Sequence, residues 1–151
     1  MTELFLIYLH YLGVVALFSL LFAQILLFRA NLSTAEHRQL VFIDLTYGIA
    51  ATLVLVTGLL RVFVYGPGPG HYFQSLAFNL MGASFLVAAL LSAYPTRRFI
   101  LRWIVLRKGA TAAPLPELVA VRIVRVQYTE FALLLLALWC AVLMARGSGV
   151  V

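Results

Sequence analysis

The amino-acid sequence describes an all-α integral membrane protein, an antiparallel four-helix bundle in one domain. Three observations lead there. Of the 151 residues, 64% are hydrophobic and only 11% are charged, against roughly 45–50% and about 25% in an ordinary soluble domain. A chain this short leaves a large share of its surface exposed even when folded, so the apolar surplus has to face lipid. The apolar residues also fall into four runs, each long enough to cross a hydrocarbon core of about 30 Å. Finally, the cations collect on alternate linkers, the pattern of a multi-span protein with one face in the cytoplasm. These features exclude an ordinary soluble domain, a disordered chain and a collagen-like chain.

The first span, Leu4 to Phe28, carries no charge and is closed by Arg29. It lacks the basic lead and the small-x-small site of a cleavable signal peptide. Leu45 to Tyr65 is the second span, interrupted only by Arg61 near its end. Tyr72 to Tyr94 is the third and is uncharged, and Val126 to Ala145 is the fourth, with Glu130 in its first turns. In the first linker, Ser33 with Glu36 three residues on has the spacing of a capping box opening an interfacial turn. The second linker, Gly66-Pro67-Gly68-Pro69-Gly70-His71, cannot continue a helix and predicts a tight turn. The third begins at Pro95. Its basic segment, residues 97–108, mixes arginines with Phe99, Ile100 and Trp103, which suits an interfacial helix. Ala113-Pro114-Leu115-Pro116 then breaks it.

The formal net charge is +6. With four spans, the first and third linkers share a face. That face receives Arg29, Arg38, Arg97, Arg98, Arg102, Arg107, Lys108, Arg122 and Arg125, leaving only Arg61 and Arg146 opposite. The basic face is therefore expected in the cytoplasm, with both termini outside. Topology and contact with anionic lipid headgroups account for the charge, and nucleic acid is not an expected partner. One cysteine, Cys140, excludes an internal disulfide framework and a multi-cysteine metal site.

Polar groups within spans are costly and mark candidate sites. Helix rise places His10 about 9 Å, Asn79 about 10 Å and Arg61 about 6 Å below the same outer face. Spacing of 100° per residue aligns His10, Gly13, Leu17, Leu21 and Gln24 on span one. It aligns Asp44, Tyr47, Gly48, Ala51 and Gly58 on span two, and Tyr72, Ser75, Asn79, Gly82, Ala83 and Leu86 on span three. A second cluster, Gln24, Arg29, Asp44, Arg122, Arg125 and Glu130, lies at the inner side, with Asp44 and Glu130 expected to pair with arginines of neighbouring helices. His10 reads as a haem or metal ligand, a proton relay, or a hydrogen-bonded core group. His71 falls in the outer turn and His37 in the inner linker, where solvent exposure is expected. With only His10 at depth, a bis-histidine cytochrome is disfavoured. One haem b with a single histidine ligand, or one shared across a homodimer interface, remains open. The soft donors His10, Met81, Cys140 and Met144 show no metal-ligand spacing. No phosphate loop, Ser/His/Asp arrangement or HExxH motif occurs, and whether the chain is an enzyme stays open.

The segment Leu9-His10-Tyr11-Leu12-Gly13, closing at Leu27-Phe28-Arg29, resembles an uncharacterised family of small bacterial four-span membrane proteins. So do Asp44-Leu45-Thr46-Tyr47-Gly48, Thr57-Gly58-Leu59-Leu60-Arg61 and Ser92-Ala93-Tyr94-Pro95-Thr96. The resemblance covers most of the chain and implies the bacterial inner membrane. More distantly, the layout is similar to the membrane-bound, oxygen-independent protoporphyrinogen oxidases and to the copper-resistance D family. The former implies a haem role for His10, which matches an intramembrane histidine early in span one. Those enzymes also rely on a lysine in span three; here that span, around Asn79, has none. What the resemblance implies is thus a tetrapyrrole pocket rather than protoporphyrinogen oxidation.

The leading expectation is a tetrapyrrole-binding or redox-linked membrane protein. His10 is its iron ligand or proton acceptor, Arg61 holds a propionate bidentately, and Asn79 bonds the ligand or orients His10. The alternatives are a small proton-coupled or metal-handling transport protein, with Asp44 and Glu130 relaying protons, and an assembly partner without chemistry.

Overall fold

The computed structural model describes residues 1–109 and 114–146, and every element among them is helical. Helix α1 spans Thr2–Leu27, α2 Thr34–Leu60, α3 Pro69–Phe73, α4 Leu76–Arg107 and α5 Glu117–Ala145. Arg61–Tyr65 continues α2 as one π-helical turn. Four of these helices are long and apolar enough to cross a membrane.

The helix ends follow local chemistry. Ser33 Oγ accepts from the Glu36 amide at 3.3 Å while the Glu36 carboxylate accepts from the Ser33 amide at 2.8 Å. This reciprocal cap opens α2 itself rather than a separate interfacial turn. The Gly-Pro linker turns the chain at Gly68, whose φ of 103° is open to glycine and strained for other residues. Pro69 then starts the five-residue α3, because its missing N–H is unneeded in a first turn. Ser75 caps α4 by accepting from the Phe78 amide at 3.3 Å.

Pro95 does not end the third span. It lies inside α4, buried, and the helix runs on through the basic segment to Arg107. One proline removes a single backbone bond and kinks rather than stops a helix whose flanks both favour it. The result has 32 residues, about 48 Å of rise, well beyond a hydrocarbon core of about 30 Å. Its arginine-rich end therefore extends past the apolar layer. The break read at Ala113–Pro116 begins outside the described residues. Pro116 directly precedes α5, which starts nine residues before the apolar run at Val126.

Helices α1 and α2 pack along their lengths, as do α4 and α5. The two hairpins meet more sparsely, α2 against α4 and α1 against α5. Gly13 permits the close pairing of α1 with α2: a Cβ there would lie 2.9 Å from Val54 Cγ2.

The core divides into two apolar clusters. One gathers Leu17, Leu21, Tyr47, Ala50, Ala88 and Leu134. The other gathers Phe28, Leu40, Val41, Phe99 and Ile123, nearer the basic end. Between the two clusters α1, α2 and α5 carry the buried polar side chains Gln24, Asp44, Gln127 and Glu130, and α4 adds the half-buried Tyr94 and Thr96. The face read on α1 is the buried one, with Gly13, Leu17, Leu21 and Gln24 inward. The face read on α4 is not. Ala77, Ser84, Ala88, Pro95 and Phe99 point inward, and Asn79, Ala83 and Leu86 point out. On α2, Asp44 and Tyr47 are buried as read, while Gly48 is exposed.

Candidate functional site: two polar layers in a helical bundle

The outer layer is built on α1 and the end of α2. The Thr57 hydroxyl lies 2.6 Å from the Leu53 carbonyl and 2.9 Å from His10 Nδ1. Its single proton goes to the carbonyl, the usual back-bond of a helical threonine. His10 Nδ1–H is then the donor to Thr57, with the Val54 carbonyl also within the ring's reach, and the neutral ring carries its lone pair on Nε2. The imidazole edge rests over Gly58, and Arg61 is near enough to act electrostatically on the ring. Arg61 also lines a cleft of about 180 Å³ with Glu3, Ile7, Tyr65 and Tyr72. The π-helical turn beginning at Arg61 re-aims this end of α2, and such turns are rare and frequent at functional sites.

Asn79 does not join His10 and Arg61. Its side chain is exposed and donates to the Phe73 carbonyl at 2.9 Å, holding the end of α3. Read as one continuous span, the sequence puts Asn79 seven residues in, but the helix restarts at Leu76 and places it in the first turn of α4. Its direction is not readable either, because an apolar helix in lipid shows no polar face to orient it. His71 is exposed in the outer turn.

The inner layer draws on all four long helices: Gln24 of α1, Asp44 and Tyr47 of α2, Thr96 of α4, and Gln127 and Glu130 of α5. Gln24, Asp44, Gln127 and Glu130 are each no more than 3% exposed. Thr96 Oγ1 donates to Asp44 Oδ1 at 3.1 Å, and the Tyr47 hydroxyl donates to Glu130 Oε2 at 3.3 Å. Both bonds cross the seam between the hairpins. Asp44 is also close enough to act electrostatically on Glu130.

The expected pairing of these carboxyls with arginines is not found. Their partners are hydroxyls, and Asp44 Oδ2 and Glu130 Oε1 are buried with no hydrogen-bond partner in the protein. Arg122 and Arg125 are exposed. The Arg122 and Arg98 guanidiniums lie 6.0 and 5.4 Å from the Tyr94 ring instead. The reason is where the arginines sit on their helices. Arg122 and Arg125 flank the inward Ile123, whereas the inward stripe runs Ile123, Gln127, Glu130, Leu134. Arg29 is likewise exposed.

His37 is buried rather than solvent-exposed, and its Nε2 lies 3.0 Å from the Phe99 carbonyl. Because the capping box starts α2 at Thr34, His37 falls on the helix face that meets α4. Sequence reasoning also passed over Tyr47 as a polar group, Thr96 and Gln127. Gln127 could have been found from its place three residues before Glu130 on one face. Among the described residues no group of three or more His, Cys, Asp or Glu could hold a metal ion.

Bundle and buried layers together define an integral membrane protein with a polar seam between two helical hairpins. The chain belongs to the family of predicted membrane proteins known as DUF2214, whose model matches residues 2–149. No curated protein and no solved structure matches it.

Proposed function

We propose that this is a small proton-handling transport protein in which Asp44 and Glu130 take up and release protons at the seam between the hairpins. One observation carries the reading: two carboxyls, buried in the bundle, that have hydroxyl partners but no cation. A bare carboxylate in such surroundings is expensive, and intramembrane carboxyls of this kind mark proton and ion pathways. Tyr47 and Thr96 hold one oxygen of each carboxyl, which leaves Glu130 Oε1 and Asp44 Oδ2 as the positions for a proton. Both hydroxyls reach across from the facing hairpin, so loss or gain of a proton bears directly on how the hairpins meet. The charge asymmetry supports a cytoplasmic basic end in contact with anionic headgroups, with both termini outside a bacterial inner membrane.

The test is proton flux into liposomes carrying the purified protein and an internal pH dye, under an imposed potential. Wild type should exceed empty liposomes, and Asp44→Asn and Glu130→Gln should each lower the flux at least tenfold. Wild-type flux in both variants would overturn the reading.

A second reading is favoured by the imidazole of His10, held in place through Nδ1 to Thr57 at 2.9 Å. Histidine ligands are commonly oriented by this kind of hydrogen bond. Bound there, a tetrapyrrole would supply redox or ligand-binding chemistry at its iron. The neighbouring cleft of about 180 Å³ falls below the roughly 300–1,000 Å³ of enclosed ligand sites. That cleft, which His10 does not line, is too small for a tetrapyrrole, so this reading requires a haem shared across a homodimer interface. Soret absorption lost in His10→Ala would support this reading, and no absorption after haem reconstitution would end it.

A further inference from the structure

We infer that the inner polar layer is a hydration site, holding about two ordered waters that clasp the two hairpins together. The observations are independent of any proton movement. Among the described residues, six buried side-chain atoms have no hydrogen-bond partner: Gln24 Nε2, Asp44 Oδ2, Tyr94 Oη, Gln127 Nε2, Gln127 Oε1 and Glu130 Oε1. They come from α1, α2, α4 and α5, that is, from both hairpins. Lone orphans occur in proteins, but buried polar atoms are overwhelmingly hydrogen-bonded. Six of them, drawn from both hairpins and from the stretch between the two apolar clusters, point to a shared ligand.

Their chemistry identifies it. The two amide nitrogens and the phenol offer hydrogens, whereas the amide oxygen and the carboxyl oxygens accept them. A bare metal cation would be repelled by the amide N–H groups, and an anion by the carboxyls. Water gives and takes hydrogen bonds in equal number. A buried water makes about three such bonds, so six atoms call for about two molecules. Apolar residues close the layer on both sides, with Leu21, Ala88 and Leu134 towards one end and Phe28, Phe99 and Ile123 towards the other. Waters held there would exchange slowly with bulk.

The clasp matters because the hairpins otherwise meet sparsely. Within the layer, the direct bonds across the seam are those of Tyr47 to Glu130 and Thr96 to Asp44. Bridging waters extend this pair into a network reaching Gln24 on α1 and Gln127 on α5.

The experiment is X-ray hydroxyl-radical footprinting of the detergent-purified full chain, in which ordered water next to a side chain produces rapid labelling. Corrected for the intrinsic reactivity of each side chain, Tyr47 and Leu134 should label several-fold faster than the lipid-facing Leu90, and Gln127→Met should reduce that labelling and lower the melting temperature by several degrees. A dry layer gives the opposite: Tyr47 and Leu134 label no faster than Leu90, and Gln127→Met, by removing two orphaned atoms, raises the melting temperature. Either of those results overturns the inference. Should Gln127→Met not fold, the wild-type footprint decides alone, with Gln24→Met as the second variant. Because no proton gradient is applied, the outcome stands apart from that of the flux measurement.

Discussion

The outer and inner polar layers of this bundle are satisfied in opposite ways. In the outer layer His10, Thr57 and Asn79 each close onto something nearby. His10 bonds Thr57, Thr57 bonds the Leu53 carbonyl one turn back, and Asn79 bonds the Phe73 carbonyl. The bond between His10 and Thr57 stays within one hairpin. In the inner layer the bonds run between hairpins, and among the described residues six buried atoms from both hairpins have no hydrogen-bond partner. A locally closed layer can be built and forgotten by the rest of the fold. A layer left open at its centre ties its chemistry to the relative position of the hairpins.

That contrast can be broken by experiment. The largest effect is expected from Asp44→Asn and Glu130→Gln, each lowering liposomal proton flux at least tenfold, whereas His10→Ala leaves it within about twofold of wild type. Flux lost in His10→Ala and retained in the inner variants would reverse the assignment of the layers.

Tyr47→Phe comes next. It removes the donor to Glu130 and leaves a carboxyl oxygen buried and unmatched, at a cost of about 1–3 kcal/mol in reversible unfolding from mixed micelles. In the outer layer, Thr57→Val should cost about 1 kcal/mol, because one bond to His10 is lost and the Leu53 carbonyl keeps its helical partner. Asn79→Ala is expected to have the smallest effect, under about 1 kcal/mol, since its amide is exposed and water can replace it at the Phe73 carbonyl. A larger loss for Asn79→Ala than for Tyr47→Phe would show that burial does not rank these layers.

Individual residues show why part of the site was readable and part was not. The α1 stripe from Gly13 to Gln24 was legible because a polar residue and a glycine recur at helical spacing among large apolar ones. The capping box was legible because it depends on residues three apart. Asp44 and Glu130 stood out as charges within apolar runs. Their partners did not, since the Tyr47 and Thr96 hydroxyls carry no charge and reach them from 83 and 52 residues away. On α4 the inward face escaped because lipid and protein are both apolar surroundings. Ala77, Ser84 and Ala88 differ little from Ala83 and Leu86 until a neighbouring helix is in place. Reading Pro95 as a boundary failed for a related reason, since backbone chemistry alone weighs the lost bond and not the packing that tolerates it.

The sequence by itself determined the solvent, the number of spans and the separation of charge between the two ends. These follow from summed transfer energies and local backbone chemistry, which do not depend on which helix touches which. Only the tertiary structure decided which faces turn inward, that the buried carboxyls meet hydroxyls rather than arginines, and that the inner layer lies on the seam between hairpins. Those outcomes depend on directions set by helix packing, and in a chain apolar on every side no local pattern records them.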